Sequence, residues 1–323
     1  MENLCLQVKD LHTSFFTARG EAKAVNGVSL EVPRGSIVGI VGESGCGKSM
    51  TARSIMRLIK YPGKIVSGSI CLEGKELVDL PEPVLANVRG EELSMIFQEP
   101  MTSLNPVMKV GKQVQEAVLL HRKLSRQEAK DKVLRIFERV GISEPEKRYH
   151  CYPHELSGGL RQRVMIAMAM VCHPKLLIAD EPTTALDVTV EAQILALMKK
   201  LRDEVGTSII LISHNLGVVA EMCDYVYVMY AGRVVEQAEV FELFDHPRHP
   251  YTKGLMNAVG SLERKQEQLE TIPGSVPGLL RLPEGCAFAP RCAHCRETCH
   301  TAVPELIHVG ETHLARCFHV QEV

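Results

Sequence analysis

The sequence predicts an α/β fold built on a buried parallel sheet, and three observations predict it. Short unbroken apolar runs recur along the chain: Ile37-Val38-Gly39-Ile40-Val41, Leu93-Ser94-Met95-Ile96-Phe97, Lys175-Leu176-Leu177-Ile178-Ala179 and Ser208-Ile209-Ile210-Leu211-Ile212. Runs of this kind suit strands covered on both faces. Each run ends in glycine or polar residues, namely Gly42, Gln98, Asp180-Glu181 and Ser213-His214. Stretches of helical period separate the runs, and 323 residues suit one large domain with an extension.

The first run leads into Gly42-Glu43-Ser44-Gly45-Cys46-Gly47-Lys48-Ser49, followed by Met50 and a helix-like segment from Thr51 to Ile59. That is the strand, G-x-x-x-x-G-K-[ST] loop and helix of a nucleoside triphosphate site, a P-loop. Its glycines let successive backbone N–H groups turn inward round a β-phosphate, and the helix N-terminus adds partial positive charge. Lys48 would reach the β- and γ-phosphates and Ser49 would ligate Mg²⁺. Ligands of such sheets sit beyond the carboxyl ends of the strands. Lys48, Gln98, Asp180, Glu181 and His214 are therefore expected to converge on one edge.

Charge and reach assign the roles. Asp180 ends its strand as a Mg²⁺ ligand, directly or through water, and Glu181 is the general base for the attacking water. His214 fits as a donor to the γ-phosphate, since phosphoryl transfer rests on positioning and charge stabilisation. Gln98 orients water or completes the metal shell. Taken alone, Gln98 reads equally well as a polar strand cap.

Leu156-Ser157-Gly158-Gly159-Leu160-Arg161-Gln162-Arg163 opens a helix expected to run to about Cys172, with Pro174 stopping it. Ser157, Gly158 and Gly159 thus form a second anion-binding helix start. One nucleotide cannot easily use both in one subunit, but a head-to-tail pair of subunits can share each nucleotide between them.

These motifs, with Asp180-Glu181-Pro182-Thr183-Thr184-Ala185-Leu186-Asp187, resemble the nucleotide-binding subunits of ABC transporters, and their order is right throughout. Within that family the chain is similar to the dipeptide/oligopeptide permease ATPases, a group that includes nickel importers. The carrying segments are Phe97-Gln98-Glu99-Pro100-Met101-Thr102-Ser103-Leu104-Asn105-Pro106, Tyr152-Pro153-His154-Glu155-Leu156 and His249-Pro250-Tyr251-Thr252. The resemblance implies an ATP hydrolase with ATP and Mg²⁺ that powers peptide uptake. It would sit peripherally on the cytoplasmic face of the membrane, paired with a second ATPase beneath two permease subunits and served indirectly by a solute-binding protein. It also implies an aromatic stacked on adenine, at Phe15 with Phe16 a rival, and core packing is the plain alternative for either. Leu160 stands where glutamine is commonest, and Cys46 stands where serine is common and adds thiol sensitivity. An importer for nickel or another small solute, and a soluble ABC ATPase with a zinc-binding tail, remain alternatives.

Domain organisation follows. Residues 1–245 form the nucleotide-binding domain, with a helical subdomain inserted over about 91–174, and residues 246–323 form a small Cys-rich extension. Within the insert, Ala129, Val133, Ile136, Phe137 and Val140 repeat at helix spacing. In the family a permease helix docks beside the Gln98 loop, which makes Met101, Leu104 and Val107 candidate contacts. The stretch Val188 to Arg202 reads as a structural helix capped by Asp187. Tyr225 to Tyr230, with Ala231-Gly232 turning into Arg233-Val234-Val235, reads as a hairpin.

The tail holds Cys286, Cys292, Cys299 and Cys317 in a C-x5-C-x6-C-x17-C spacing, with Cys295 inside the group and Pro and Gly dense just before it. So little apolar mass calls for a staple, and a reducing compartment argues against disulfides. Cys292-Ala293-His294-Cys295, with His300, His313 or His319, would suit zinc. The resemblance instead makes Cys286, Cys292, Cys299 and Cys317 the ligands of a [4Fe–4S] cluster. Free thiols are the third reading. Cys172 and Cys223 read as small buried apolar groups.

Composition excludes other classes. A net charge of -2 without a basic run leaves no nucleic-acid footprint, and no apolar stretch is long enough to span a membrane. Residues Met1 to Asp10 lack the form of a signal peptide. One set of motifs argues against a tandem ribosome-bound ABC protein, and the lack of a long heptad insert argues against a DNA-repair one.

Overall fold

The computed structural model describes residues 3–98, 103–184, 186–263 and 272–320. The chain forms two compact units interleaved in sequence. One takes Met1–Cys5, Pro33–Ser36 and Asp79–Ile210, and the other takes Leu6–Val32, Ile37–Val78 and Leu211–Val323.

In the first unit the strands Leu93–Ile96 and Leu176–Asp180 pair in parallel, Leu93 opposite Leu176 and Ile96 opposite Ala179. All residues of both strands are buried, as two-sided cover demands. Two boundaries differ from the apolar runs. Lys175 stays outside its strand and accepts the Ser208 N–H through its carbonyl, and Phe97 lies past the end of its strand, 37% exposed.

Helices fill the unit's middle. Ser125 caps the helix Arg126–Arg139 with a full capping box: its hydroxyl accepts the Glu128 N–H at 3.3 Å, and the Glu128 carboxylate accepts the Ser125 N–H at 2.8 Å. The predicted stripe Ala129, Val133, Ile136 and Phe137 is buried and packs on the helix Val110–His121, whose Val110, Val114 and Val118 are also buried. Each such large side chain contributes ~1.5–3 kcal/mol by leaving water. The stretch 91–174 thus holds the strand Leu93–Ile96 and the helices Val110–His121, Arg126–Arg139, Pro145–Tyr149 and Gly158–Met170. That helix stops two residues before Cys172 because Val171 ends it and His173 turns left-handed. The helix Val188–Val205 is capped by Asp187, which accepts the Val190 N–H at 2.9 Å, and ends at Gly206 with φ 74°.

In the second unit Ile37–Val41 runs parallel to Tyr225–Tyr230, which turns through Ala231-Gly232 into the antiparallel strand Arg233–Glu239. The short tail strands Leu314–Ala315 and Ile307–His308 extend this edge. Gly20–Pro33, Leu4–Thr17, Gly63–Leu72 and Lys75–Glu76 form a separate four-stranded sheet. The helix after the glycine-rich loop spans Lys48–Ile55, earlier and shorter than Thr51 to Ile59. It starts at the loop itself because Gly47 caps it, and Arg57, at φ 51°, prevents its continuation.

Among the described residues no helix is long and apolar enough to cross a membrane. Leu104 is buried, which removes it from the candidate docking contacts, whereas Val107 is 82% exposed. Met101 lies outside the described residues.

Candidate functional site

The phosphate loop belongs to the second unit. Gly42 and Gly47 take φ of 146° and 110°, a region closed to most side chains. A Cβ on Gly42 would stand 2.3 Å from the Met229 carbonyl, and one on Gly47 would stand 2.7 Å from that of Ala24. The loop therefore needs glycine for conformation and for room. Lys48 is buried and donates from Nζ to the carbonyls of Gly42 at 2.7 Å and Glu43 at 3.0 Å. Its ammonium is thus held over the loop whose N–H groups would take a phosphate. Ser49 and Met50 follow in the first helical turn, half-buried, and Ser44 and Gly45 form the exposed crest.

Cys46 corrects one expectation. It is fully buried, and burial pushes its thiol up against the lowering pull of Lys48. A buried thiol with a raised pKa is a poor nucleophile, so thiol sensitivity does not follow from this residue.

Glu43 is held from two sides by the C-terminal extension. Arg291 donates bidentately to its carboxylate, Nη1 at 2.6 Å and Nη2 at 3.0 Å. Tyr251, fully buried, accepts the Glu43 N–H through its hydroxyl at 2.8 Å. Sequence reasoning missed both contacts, since nothing in the local pattern ties residues so far apart.

His214 lies in the same unit, exposed, one residue after Ser213, whose N–H donates to the Ile40 carbonyl of the strand that feeds the loop. Asn215 then caps the helix Leu216–Met222 by accepting the N–H groups of Gly217 and Val218.

The acidic strand end belongs to the first unit. Asp180 is buried at the end of its strand. Glu181 follows with φ 48°, a left-handed conformation uncommon for glutamate and often retained at functional sites. Gln98 donates from Nε2 to Glu181 Oε2 at 2.8 Å, and Thr184 donates from Oγ1 to the same oxygen at 3.0 Å. The structure thus unites Gln98 with Glu181 and adds Thr184, which the sequence did not single out. Gln98 is tied to the carboxylate by its side chain.

Ser157 N-caps the helix Gly158–Met170, accepting the Leu160 N–H at 3.4 Å, and no acidic residue stands in the first turn. Ser157 and Gly158 are exposed, leaving this helix start open to an anion. Gly159 faces Val190, where a Cβ would stand 3.0 Å from Cγ1. Of the two candidate adenine-stacking aromatics, Phe15 is half-buried over Gly63 and Ile59. Phe16 is 43% exposed beneath the Lys64 ammonium, 4.8 Å from the ring centroid.

None of the eleven cysteines is in a disulfide. Cys286, Cys292, Cys299 and Cys317 line one small pocket of the second unit, together with His249 and His319. Burial first, then the neighbouring thiols, pushes Cys286 up to about 11 and raises Cys292 and Cys317. The buried His319 Nε2 has no hydrogen-bond partner. Cys295 does not line this pocket, but it adjoins the group: its sulfur stands 3.3 Å from His300 Nε2 and meets the Cys299 thiol, and its N–H donates to the Cys292 carbonyl at 3.2 Å. Four thiols line this pocket, as does His294, whereas Cys295 does not. Among the described residues no three His, Cys, Asp or Glu side chains stand together at metal-holding distance.

Comparison with known proteins agrees with this geometry. Residues 25–184 match the family described as ABC transporter, and residues 235–299 match the oligopeptide/dipeptide transporter C-terminal region. A putative peptide import ATP-binding protein of Brucella ovis is 52% identical over 98% of both chains. The oligopeptide transport ATP-binding protein OppD of Salmonella typhimurium is 52% identical over 94% of this chain and 90% of its own. Among solved structures, the dimeric ATP-binding cassette MJ0796, in a post-hydrolysis state bound to ADP and Pi, superposes with a TM-score of 0.66 at 25% identity, covering 73% of this chain and 98% of that one. Glycine-rich loop, glutamine-bonded acidic strand end and serine-capped helix thus stand on a chain that belongs to the ATP-binding proteins of the ABC transporter family, in the peptide-import group of these relatives.

Proposed function

We propose that this chain is the ATP-hydrolysing subunit of an ABC importer and couples hydrolysis to the uptake of di- and oligopeptides. The observation that carries the reading is the near full-length, 52% match to peptide-import ATP-binding proteins. The chemistry is carried by its own residues. Lys48 and the loop N–H groups hold the β- and γ-phosphates, while Ser49 and Asp180 supply oxygens for Mg²⁺. Glu181 takes a proton from water as that oxygen bonds to the γ-phosphorus and the bond to the ADP oxygen breaks. Gln98 fixes the carboxylate, and His214 donates to the γ-phosphate. Phe15 or the more exposed Phe16 stacks on the base.

The exposed Ser157-Gly158 helix start serves a nucleotide held by a second ATPase subunit, and that subunit returns the same contact. The pair works beneath two permease subunits on the cytoplasmic face of the membrane. Reconstitution with permeases and partner ATPase in vesicles tests this: labelled oligopeptide should accumulate only with ATP and with Lys48 intact. Peptide uptake that persists with Lys48→Ala would overturn the reading.

The extension carries a [4Fe–4S] cluster on Cys286, Cys292, Cys299 and Cys317. The pocket that these four thiols share, and that Cys295 does not line, supports that donor set. Such a group would staple a segment with little core of its own.

A further inference from the structure

We propose that Arg291 and Tyr251, both in the C-terminal extension, are positioning residues of the phosphate loop that hold Glu43 out of the triphosphate's way. The loop carries an acidic side chain at Glu43, and every unit of negative charge near a triphosphate opposes binding. The extension answers that charge. The Arg291 side chain is 4% exposed and forks onto both Glu43 oxygens at 2.6 and 3.0 Å, the geometry in which a guanidinium–carboxylate pair is strongest and most directional.

The fork itself is fixed. Arg291 Nε donates to the Pro273 carbonyl at 2.8 Å and Nη2 to that of Ile272 at 3.3 Å, while Nη1 also reaches the Tyr230 hydroxyl at 3.3 Å. Its cation lies 5.8 Å from the Tyr230 ring centroid and 5.9 Å from that of Phe288. The hydrogen bonds that Arg291 donates to Glu43 raise its pKa further, so the cation is permanent. Tyr251 holds the Glu43 backbone, and its ring packs against Tyr230 and Phe288 at 4.7 and 5.4 Å. Lys48 completes the arrangement, because its ammonium bonds the carbonyl of the same Glu43. Arg291 immediately precedes Cys292. The fold round Cys292 is therefore linked to the loop through Arg291, beside the separate hold of Tyr251.

The inference rests on the nucleotide reading of the loop, so ATP titration of the wild-type full chain comes first, and failure of that chain to bind ATP overturns both. A double-mutant cycle then reads the dissociation constant of a fluorescent ATP analogue. Arg291→Gln, which keeps most of the stem and polarity but removes the charge, is expected to weaken binding about tenfold. The loss should be larger for the triphosphate than for the diphosphate, and Arg291→Lys should recover most of it. In a Glu43→Gln background the same Arg291→Gln change should cost less than about twofold, because the charge it answers is gone. An equal loss in both backgrounds, or none in either, overturns the proposal: the first is what a purely structural tail contact would give. If Arg291→Gln does not fold, Tyr251→Phe carries the test. A shift in affinity of about twofold or more at unchanged melting temperature supports the proposal, and unchanged affinity overturns it.

Discussion

Gln98 and Glu181, 83 residues apart, meet at 2.8 Å through Nε2 and Oε2, and Thr184 donates to that same oxygen at 3.0 Å. Two neutral donors thus converge on one carboxylate oxygen. The carboxylate's direction is therefore set by its neighbours rather than by its own rotamer preference. Gln98→Ala should lower turnover about tenfold with little change in ATP affinity, because a positioning contact is lost while the base remains. Thr184→Val should lower it less, and the double variant should fall short of the product of the two, since both act on one atom. Phosphate-release kinetics on the assembled transporter decide this.

The tail is pinned to its sheet by a buried polar knot. Glu236, fully buried, accepts from His313 Nε2 at 2.7 Å and from the backbone N–H groups of Arg248 and His249, while the other ring nitrogen of His313 faces Glu242 at 3.2 Å. Burial pulls the His313 imidazole down, but Glu236 and Glu242 outweigh it and leave it raised above 6.5. A raised histidine stabilises fully below its unfolded value, and that contribution is lost as pH rises through the folded value. Burial, against the pull of Glu236, depresses His249 from 6.5 to about 4. The neutral His249 is thus favoured in the fold, and its contribution fades as pH falls from about 6.5 towards about 4. Tail stability should therefore peak near pH 6.5. His313→Asn should cost about 1–3 kcal/mol and remove the alkaline limb. Hydrogen exchange of residues 307–317 across pH 5 to 8 measures both.

Protein purified without oxygen should hold about four irons and about four acid-labile sulfides per chain. Cys299→Ser should abolish both, while Cys295→Ser should leave them unchanged, because Cys295 does not line the shared pocket. Stoichiometric zinc without colour would contradict this and move the ligand set.

In the helical stretch, Phe137 is among the largest fully buried side chains. Phe137→Ala should cost about 3–5 kcal/mol through lost transfer and a residual cavity. A denaturant midpoint shifted by much less would mean that the facing helices collapse into the space.

Much of this was legible in the sequence for physical reasons. Ile37–Val41 and Ser208–Ile212 coincide with their apolar runs because strands buried on both faces have no polar face to confuse the pattern. Asp187 announces its helix because an N-cap answers a purely local need, and the Ala231-Gly232 turn is equally local. The illegible parts depend on distant partners. Arg291 finds Glu43 from 248 residues away, and no periodicity encodes such a pairing. Leu104, in a polar-looking motif, is buried, and the thiol of Cys46 is sealed by the surroundings that shape the loop. The helix after the loop was placed late because its start is fixed by Gly47 at positive φ, not by an apolar stripe.

The measurement that tests the account most directly is phosphate release by the assembled transporter with Glu181→Gln in this chain. The account predicts that ATP still binds at this chain's site with near wild-type affinity while turnover there falls by a factor of about 10²–10⁴, the range expected for loss of a general base. Undiminished hydrolysis at this site would contradict the assignment of Glu181, and with it the reading of the Gln98–Glu181 pair as the centre of the reaction.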